Sequence, residues 1–589
     1  MHSIRMNRQR VLILLIVGTH TFLLTWGVYR QSPTCDEIRH LAAGLSYWNL
    51  GHCTVYRLNP PLTRLVAALP VLAAHPKTDW KRFSKGGGWA VDLKVEEDFL
   101  QANGTRTLWL CRLARCGCIA FSWLGAWICY RWAKELYGDE AGYLALVLWC
   151  FCPNIIAHAQ LITSDAGATA FGIAATYSFW RWLQTPGWLS TFVAGASLGL
   201  ADLTKFTWLV LFLIFPALWV IWRMSDRRCR ADLRAWIRQA LQLAILMAFA
   251  VYIINLIYGF DGSFQPLGSF SFVSRTLTKA PAVDDRMMTE PEGNRFVGGW
   301  LQNVPVPLPR DFVLGCDHLN KELEVIRRPS YLRGEFRADG WWYYYIYAAT
   351  IKVPVGSWLL FLLALGTPLL VTQRWPAWHN TTIVVVPAIV LVVLVSLQTG
   401  RMSNFRFALP VLPFLFIFAS RSARLVELHS PWLNALSVAA LTWSIASSVW
   451  IYPHSLSYFN EMAGGPHRGA AHLLGSNVDW GQDVLFLQDW ISQHPDAKPL
   501  YLSYYGACDP KYIGLSTGCE SIEGGRERVR VEALRSYWYG CSLNYIVWSS
   551  QGATKYNAGS LPRLSIPERP PDSKAGYSIW LWHINPNKN

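Results

Sequence analysis

Runs of about 18–20 apolar residues recur along this chain, the length a helix needs to cross the hydrocarbon core of a bilayer. Roughly eleven of them can be placed, at 11–29, 108–130, 141–157, 166–184, 188–203, 206–222, 239–258, 353–371, 381–397, 407–420 and 432–451. The chain has 589 residues, of which 52% are hydrophobic and 15% charged, with 31 Trp. That composition excludes a soluble enzyme of this size. The fold class predicted is an α-helical polytopic membrane protein.

The net charge of +15 does not point to nucleic acid, because much of the basic charge lies in short loops between apolar runs. The first run follows Arg5, Arg8 and Arg10 and has no small-residue cleavage site after it, so it reads as an uncleaved anchor. The thirteen cysteines form no zinc pattern. Cys508 and Cys519 are open to pairing in an oxidising compartment, and equally open to staying free.

Orientation follows from charge. The densest basic loop, Arg223 to Arg238, is expected in the cytoplasm, together with the N-terminus and "RSAR" at 421–424. The outer side then receives the loop 30–107, the short loops 158–165 and 398–406, the long loop 259–352 and the tail 452–589. A chain that spends its polar residues on one side is expected to do its chemistry there. The tail reads as a separate small α/β domain. "WGQDVLFLQDWISQH" has helical spacing, and "PLYLSYYG", "NYIVWSS" and "GYSIWLWHI" read as strands.

The first outer loop opens with "SPTCDEIRHLAAG". Thr34 to Glu37 fits a capping box, with Glu37 reaching back to Thr34. The helix dipole also favours a carboxylate in the first turn. Asp36 needs more than that, because Arg39 and His40 lie three and four residues on, on its own helix face. A carboxylate there can accept a proton from an attacking hydroxyl. A guanidinium can hold a phosphate by paired hydrogen bonds. The cluster therefore suits reaction at a lipid-linked phosphate, with a salt bridge and an interface histidine as the structural alternative. Asn59-Pro60-Pro61 then forces an extended entry into "LTRLVAALPVLAA", an apolar segment expected to lie along the interface. Two interfacial helices with a polar cleft between them follow from this.

Four other places carry candidate residues. Asp165 either starts the next span as a cap residue or is a second carboxylate of the site. Lys205 sits between two apolar runs, where it serves a phosphate or snorkels to the interface. Arg401 and Arg406 lie on the outer side, against the positive-inside trend, as lipid-phosphate contacts or interface anchors. The block from Tyr452 to Asp483 gathers Asn460, Glu461 and Asp479, for closing the cleft, for acceptor binding, or for turn chemistry.

These motifs, taken together, resemble the lipid-carrier-dependent glycosyltransferases of the GT-C fold, and more closely glycosyltransferase family 39. That family holds the protein O-mannosyltransferases and the lipid A aminoarabinose transferases. The matching segments are the acidic pair after the first span with the later "PPL", "LITSDAGATAF", "GLADLTKFTWLVLFLIFP", "IKVPVGSWLLFLLAL" and "FRFALPVLPFLF". They cover most of residues 1–420. The resemblance implies a GT-C membrane domain over 1–451 and a polyprenyl-phosphate donor carrying one sugar. It implies transfer with inversion to an outer-side protein, lipid or glycan. It implies catalytic carboxylates among Asp36, Glu37 and Asp165, and donor-phosphate contacts among Arg39, His40, Lys205, Arg401 and Arg406. Asn59, Asn460, Glu461 and Asp479 would line the cleft or meet the acceptor.

A second carboxylate facing Asp36 would hold an acceptor amine or a divalent cation, so a metal requirement stays open. Aminoarabinose transferases carry Glu-Lys before the "PPL"; here Leu58 and Asn59 stand there, and Arg57 or Arg64 would have to supply the cation. The loop 259–352 is too short for the β-trefoil of the eukaryotic mannosyltransferases. The setting expected is a plasma (inner) membrane with the site and tail extracytoplasmic. A lipid-linked-sugar flippase and a non-catalytic envelope assembly protein are the alternatives. The first expects internal repeats, and none is visible.

Overall fold

The computed structural model describes residues 2–83, 89–225, 232–278, 293–325, 329–371, 375–398, 403–506, 508–515, 519–521, 536–550 and 569–585. Helices follow the apolar runs. Among the described residues, seven helical stretches are long and apolar enough to cross a bilayer. They are Gln9–Arg30 within α1 (His2–Arg30), then Arg106–Tyr137, Phe206–Ser225, Leu233–Ile257, Trp378–Ser396, Phe405–Leu428 and Pro431–Ile451. Two bent pairs raise the number to nine: Asp139–Cys150 with Pro153–Ala159, at 59°, and Tyr344–Lys352 with Val355–Leu370, at 109°. Each bend falls at a proline, Pro153 or Pro354, where the backbone before or at the proline is extended.

Seven to nine spans thus stand where the sequence predicts about eleven. The two others expected, 166–184 and 188–203, are present as helices Ser164–Gln184 and Trp188–Asp202. The second has 15 residues, about 22 Å at 1.5 Å per residue, short of the ~30 Å core. It is built for close packing instead. Gly195 and Gly199, spaced Gly-x-x-x-Gly, lie against the carbonyls of Leu246 and Ala250 on Leu233–Ile257. A Cβ at either glycine would stand 2.6 Å from those oxygens.

The segment 30–107 carries three helices where two are expected: α2 (Glu37–Leu50), α3 (Leu62–Leu72) and α4 (Trp89–Asn103). The buried face of α4 mixes Asp92 and Glu96 with Val95, Phe99 and Leu100, which hides its apolar periodicity. The segment 259–352 includes a helix, Arg310–Val325, and a short antiparallel hairpin of β1 (Ser330–Leu332) and β2 (Glu335–Arg337).

In the tail, five strands form a mixed sheet: β3 (Leu500–Ser503), β4 (Cys519–Ser521), β5 (Tyr537–Ser542), β6 (Ser573–Ala575) and β7 (Ile579–Ile584), in the order β4-β3-β5-β7-β6. β3 runs parallel to β4 and β5, and β7 antiparallel to β5 and β6. The helix expected at "WGQDVLFLQDWISQH" is Val484–Gln493. "NYIVWSS" is not a strand but lies in a helix, Leu543–Ser550. Leu543 and Ile546 are buried at helical spacing, so packing overrides the strand propensity of Tyr545, Val547 and Trp548. The tail is not separate in its core either. Leu500, Leu502 and Leu581 share one apolar cluster with Ile38, Leu41, Val95 and Phe99 of α2 and α4. Cys508 is a free, buried thiol; the side chain of Cys519 lies outside the described residues.

Candidate active site

Past α1 the chain runs through Ser32–Thr34 without regular structure, turns at Cys35 and Asp36 and enters α2. The capping contact read from the sequence is present on one side: the Thr34 N–H donates to Glu37 Oε2 at 2.7 Å. The Thr34 hydroxyl, however, donates to the same oxygen at 3.1 Å. Arg115 then grips Glu37 from a facing span, with Nε 2.8 Å from Oε1 and Nη2 2.6 Å from Oε2. The Ile162 N–H adds a bond at 2.9 Å. Glu37 is wholly buried. Its acceptor capacity goes to the fold, which removes it from the catalytic set.

Asp36 is the N-cap residue of α2 yet makes no side-chain capping bond. Its carboxylate turns the other way, toward Arg406. Arg406 Nη2 stands 3.3 Å from Asp36 Oδ2, and Nη1 stands 3.4 Å from Asp165 Oδ2. Lys205 Nζ lies 2.9 Å from Asp165 Oδ1. Four charged groups thus form one row, Asp36–Arg406–Asp165–Lys205, at one end of the helical bundle. Asp165 is 1% exposed at its side chain, whereas Asp36 retains 23%, Arg406 18% and Lys205 16%.

Local backbone explains the convergence. Asp165 lies in the first turn of Ser164–Gln184, where the helix dipole favours a carboxylate. Lys205 is extended, φ −160°, in the break between Trp188–Asp202 and the 3-10 turn Phe206–Val210. Arg406 lies in the 3-10 turn Phe405–Val411 that begins a span. Its guanidinium sits 4.1 Å from the ring centroid of Trp480 and 5.1 Å from that of Phe407. Asn59 borders the row, accepting a hydrogen bond from the Ser164 hydroxyl at 3.2 Å.

Other expected contacts are used elsewhere. Arg39 is buried and bound to Glu96, with Nε at 3.0 Å and Nη2 at 2.8 Å from the same oxygen, so it is an internal ion pair and not an exposed phosphate contact. His40 is buried edge-on to Tyr56, with centroids 4.8 Å apart. Burial and the neighbouring Arg64 charge push its pKa down to about 3, so it is neutral and carries no charge to a phosphate. Arg57 pairs with Asp311 at 2.8 Å, and the buried Arg64 donates to the Tyr56 carbonyl at 2.6 Å. Neither stands in for the cation missing before "PPL". Arg401 lies outside the described residues.

The tail residues are structural as well. Asn460 caps the turn Glu461–Ala463 and donates to the carbonyls of Thr350 and Val353 at 2.7 and 2.8 Å. It ties the tail to the 109° bend and does not line the cleft. Glu461 is exposed on that turn. Asp479 is buried, accepts from the Gly481 N–H at 3.1 Å, and has its carboxyl pushed up to about 7 by burial.

A divalent cation does not fit this donor set. Among the described residues no three His, Cys, Asp or Glu side chains gather at one point, and the two carboxylates of the row are already bridged by Arg406.

Residues 111–257, which hold Asp165 and Lys205, match the model of the family described as dolichyl-phosphate-mannose-protein mannosyltransferase. Among solved structures, the chain resembles ArnT from Cupriavidus metallidurans bound to undecaprenyl phosphate, at 13% identity over 97% of each chain and a TM-score of 0.43. The arabinofuranosyltransferase AftD from Mycobacteria gives 12% identity over 91% of this chain and 35% of that one, TM-score 0.37. An Archaeoglobus fulgidus oligosaccharyltransferase gives 11% over 86% and 63%, TM-score 0.39. No curated protein matches the chain.

Sequence reasoning misses Arg115, Glu96 and Trp480. A signal existed for Arg115: a guanidinium inside an apolar run, if buried, demands a carboxylate. Nothing in the local sequence marks Trp480 among the other tryptophans.

Proposed function

We propose that the protein is an integral-membrane glycosyltransferase that moves one sugar, a hexose or a pentose, from a polyprenyl-phosphate carrier to a protein, lipid or glycan. The row Asp36–Arg406–Asp165–Lys205 carries this reading, because it sets two cations beside one accessible carboxylate. The acceptor hydroxyl or amine attacks the anomeric carbon, the bond from that carbon to the phosphate oxygen breaks, and the configuration inverts. The electron pair leaves with the polyprenyl phosphate. Asp36, the more exposed carboxylate, takes the acceptor proton.

Arg406 and Lys205 receive the charge that grows on the departing phosphate. Both ion pairs of Arg406 are long, and its side chain keeps 18% exposure. The guanidinium therefore keeps donors for a phosphate. Asp165, buried, holds the two cations in place and does not itself touch the acceptor. The row and the tail face the extracytoplasmic side, with the N-terminus in the cytoplasm, in keeping with the basic loops read from the sequence.

The test is transfer by purified protein in liposomes, with a polyprenyl-phosphate-linked labelled sugar and membrane-fraction acceptors. Labelled product that Asp36→Asn fails to make supports the reading. Full activity in Asp36→Asn, in protein inserted like the wild type, defeats it. Label crossing the bilayer without product identifies a flippase instead.

A further inference from the structure

The stretch Asn477–Val484 of the tail touches the backbone on both sides of the row. On one side the Ser32 N–H donates to the Gln482 carbonyl at 3.0 Å and the Cys35 N–H to the Trp480 carbonyl at 3.1 Å. The Ser32 hydroxyl donates to the Gly481 carbonyl at 2.8 Å and accepts from the Val484 N–H at 3.1 Å. Cys35 immediately precedes Asp36. On the other side Asn477 Oδ1 accepts the Phe405 N–H at 2.8 Å, and Phe405 immediately precedes Arg406. Asn477 is itself held, since its carbonyl accepts from the buried Lys352 ammonium at 2.8 Å.

Between these two anchors stands Trp480, 3% exposed, with the Arg406 guanidinium 4.1 Å from its ring centroid. Gly481 makes the presentation possible. Its φ is +87°, and a Cβ there would stand 2.6 Å from the Tyr504 hydroxyl oxygen and 2.9 Å from the Tyr505 carbonyl oxygen. The ring lies on a guanidinium whose only charged contacts among the described residues are 3.3 and 3.4 Å long. The indole face is thus a close contact of the guanidinium beside these two long ion pairs, with the Phe407 ring centroid 5.1 Å from it as well.

We propose that Trp480 is a positioning residue of the transfer site. The tail loop sets the spacing of Asp36 and Arg406, and the indole face orients Arg406 toward the donor phosphate. This rests on the glycosyltransferase reading above. It makes the tail part of the donor site and not only an acceptor platform or a joint. The tryptophan acts through Arg406 and touches no reacting atom.

The test measures undecaprenyl phosphate binding to the full-length protein in detergent, for wild type, Trp480→Phe, Trp480→Leu, Arg406→Ala and the double variant of Trp480→Leu with Arg406→Ala. Tail docking is checked in each by limited proteolysis. Tryptophan gives the strongest cation–π face, phenylalanine a weaker one, and leucine none. Trp480→Leu should weaken binding about 10-fold or more, and Trp480→Phe should recover to within about 3-fold of wild type. The double variant adds a readout that packing alone does not move: because the tryptophan acts through Arg406, Trp480→Leu should cost little further binding once Arg406→Ala is present. Loss in Arg406→Ala with wild-type affinity in Trp480→Leu overturns the positioning role and leaves the transferase reading standing. Equal losses in the Phe and Leu variants, with Trp480→Leu costing as much in the Arg406→Ala background as alone, also overturn it. Binding that ignores Arg406 altogether overturns both.

Discussion

Asp36 and Glu37 are consecutive in the chain and have separate partners: Glu37 is locked by Arg115 out of water, while Asp36, partly exposed, meets Arg406 at 3.3 Å. Two carboxylates that look interchangeable in the sequence therefore have separable effects. Asp36→Asn should lower transfer about 10²- to 10⁴-fold, the usual worth of a general base, with insertion and thermal stability unchanged.

Glu37→Gln should do the reverse. It leaves the Arg115 guanidinium buried without its counter-charge, which costs about 3–5 kcal/mol. The expected outcome is a lower melting temperature and poor accumulation in the membrane. Whatever protein does fold should turn over at near the wild-type rate. Thermal denaturation beside single-turnover assays separates the two phenotypes.

Arg406→Lys should not rescue Arg406→Ala. An ammonium is one point charge on a flexible stem, whereas the guanidinium reaches Asp36 and Asp165 with different nitrogens and stacks on Trp480. A fall in kcat of about 10²- to 10³-fold is expected, the worth of one donor aimed at developing charge. Steady-state kinetics with varied donor check it.

His40 makes stability pH-dependent. Its folded pKa, about 3, lies below the unfolded value of 6.5, so the unfolded chain binds a proton that the folded one refuses. Stability is full above pH 7 and is lost as pH falls through 6.5 toward 3. At pH 5 the loss is about 2 kcal/mol, at 1.36 kcal/mol per unit. His40→Gln should flatten the melting temperature between pH 7.5 and 5 relative to wild type.

Chelation should leave transfer intact. In the proposed site the positive charge at the donor phosphate comes from Arg406 and Lys205, so activity in EDTA should match activity in added magnesium. A strict metal requirement would reassign the roles of Asp36 and Asp165.

The four charged members of the row were legible because each lies at a helix end or break: Asp36 before α2, Asp165 in a first turn, Lys205 after a helix, Arg406 in a 3-10 opening. Their partners were not legible. Glu96 meets Arg39 across 57 residues, Arg115 meets Glu37 across 78, and Trp480 meets a guanidinium from another span. Motif spacing reports what one turn of helix brings together, and these pairs form only through tertiary packing. For that reason the helical spacing of Arg39 and His40 from Asp36 points to a ligand-facing cluster, whereas Glu96 and Tyr56 cover them. The expected spans at 166–184 and 188–203 are helices that fall outside the set long and apolar enough to cross a bilayer. Trp188–Asp202 is apolar, but its glycines serve a neighbouring helix and its length falls short of the bilayer.

The Arg115–Glu37 pair also bears on biogenesis. A guanidinium within Arg106–Tyr137 burdens that segment by about 2.5–3.5 kcal/mol if it meets lipid alone. Its relief comes from a carboxylate already synthesised, and from the carbonyls of Gln31 and Ser32 just past the first span, at 2.7 and 2.8 Å. The second span is therefore expected to leave the translocon in company with the first, as a hairpin whose polar seam closes before lipid reaches it. The order of membrane entry is thus encoded in one salt bridge that the catalytic step never uses.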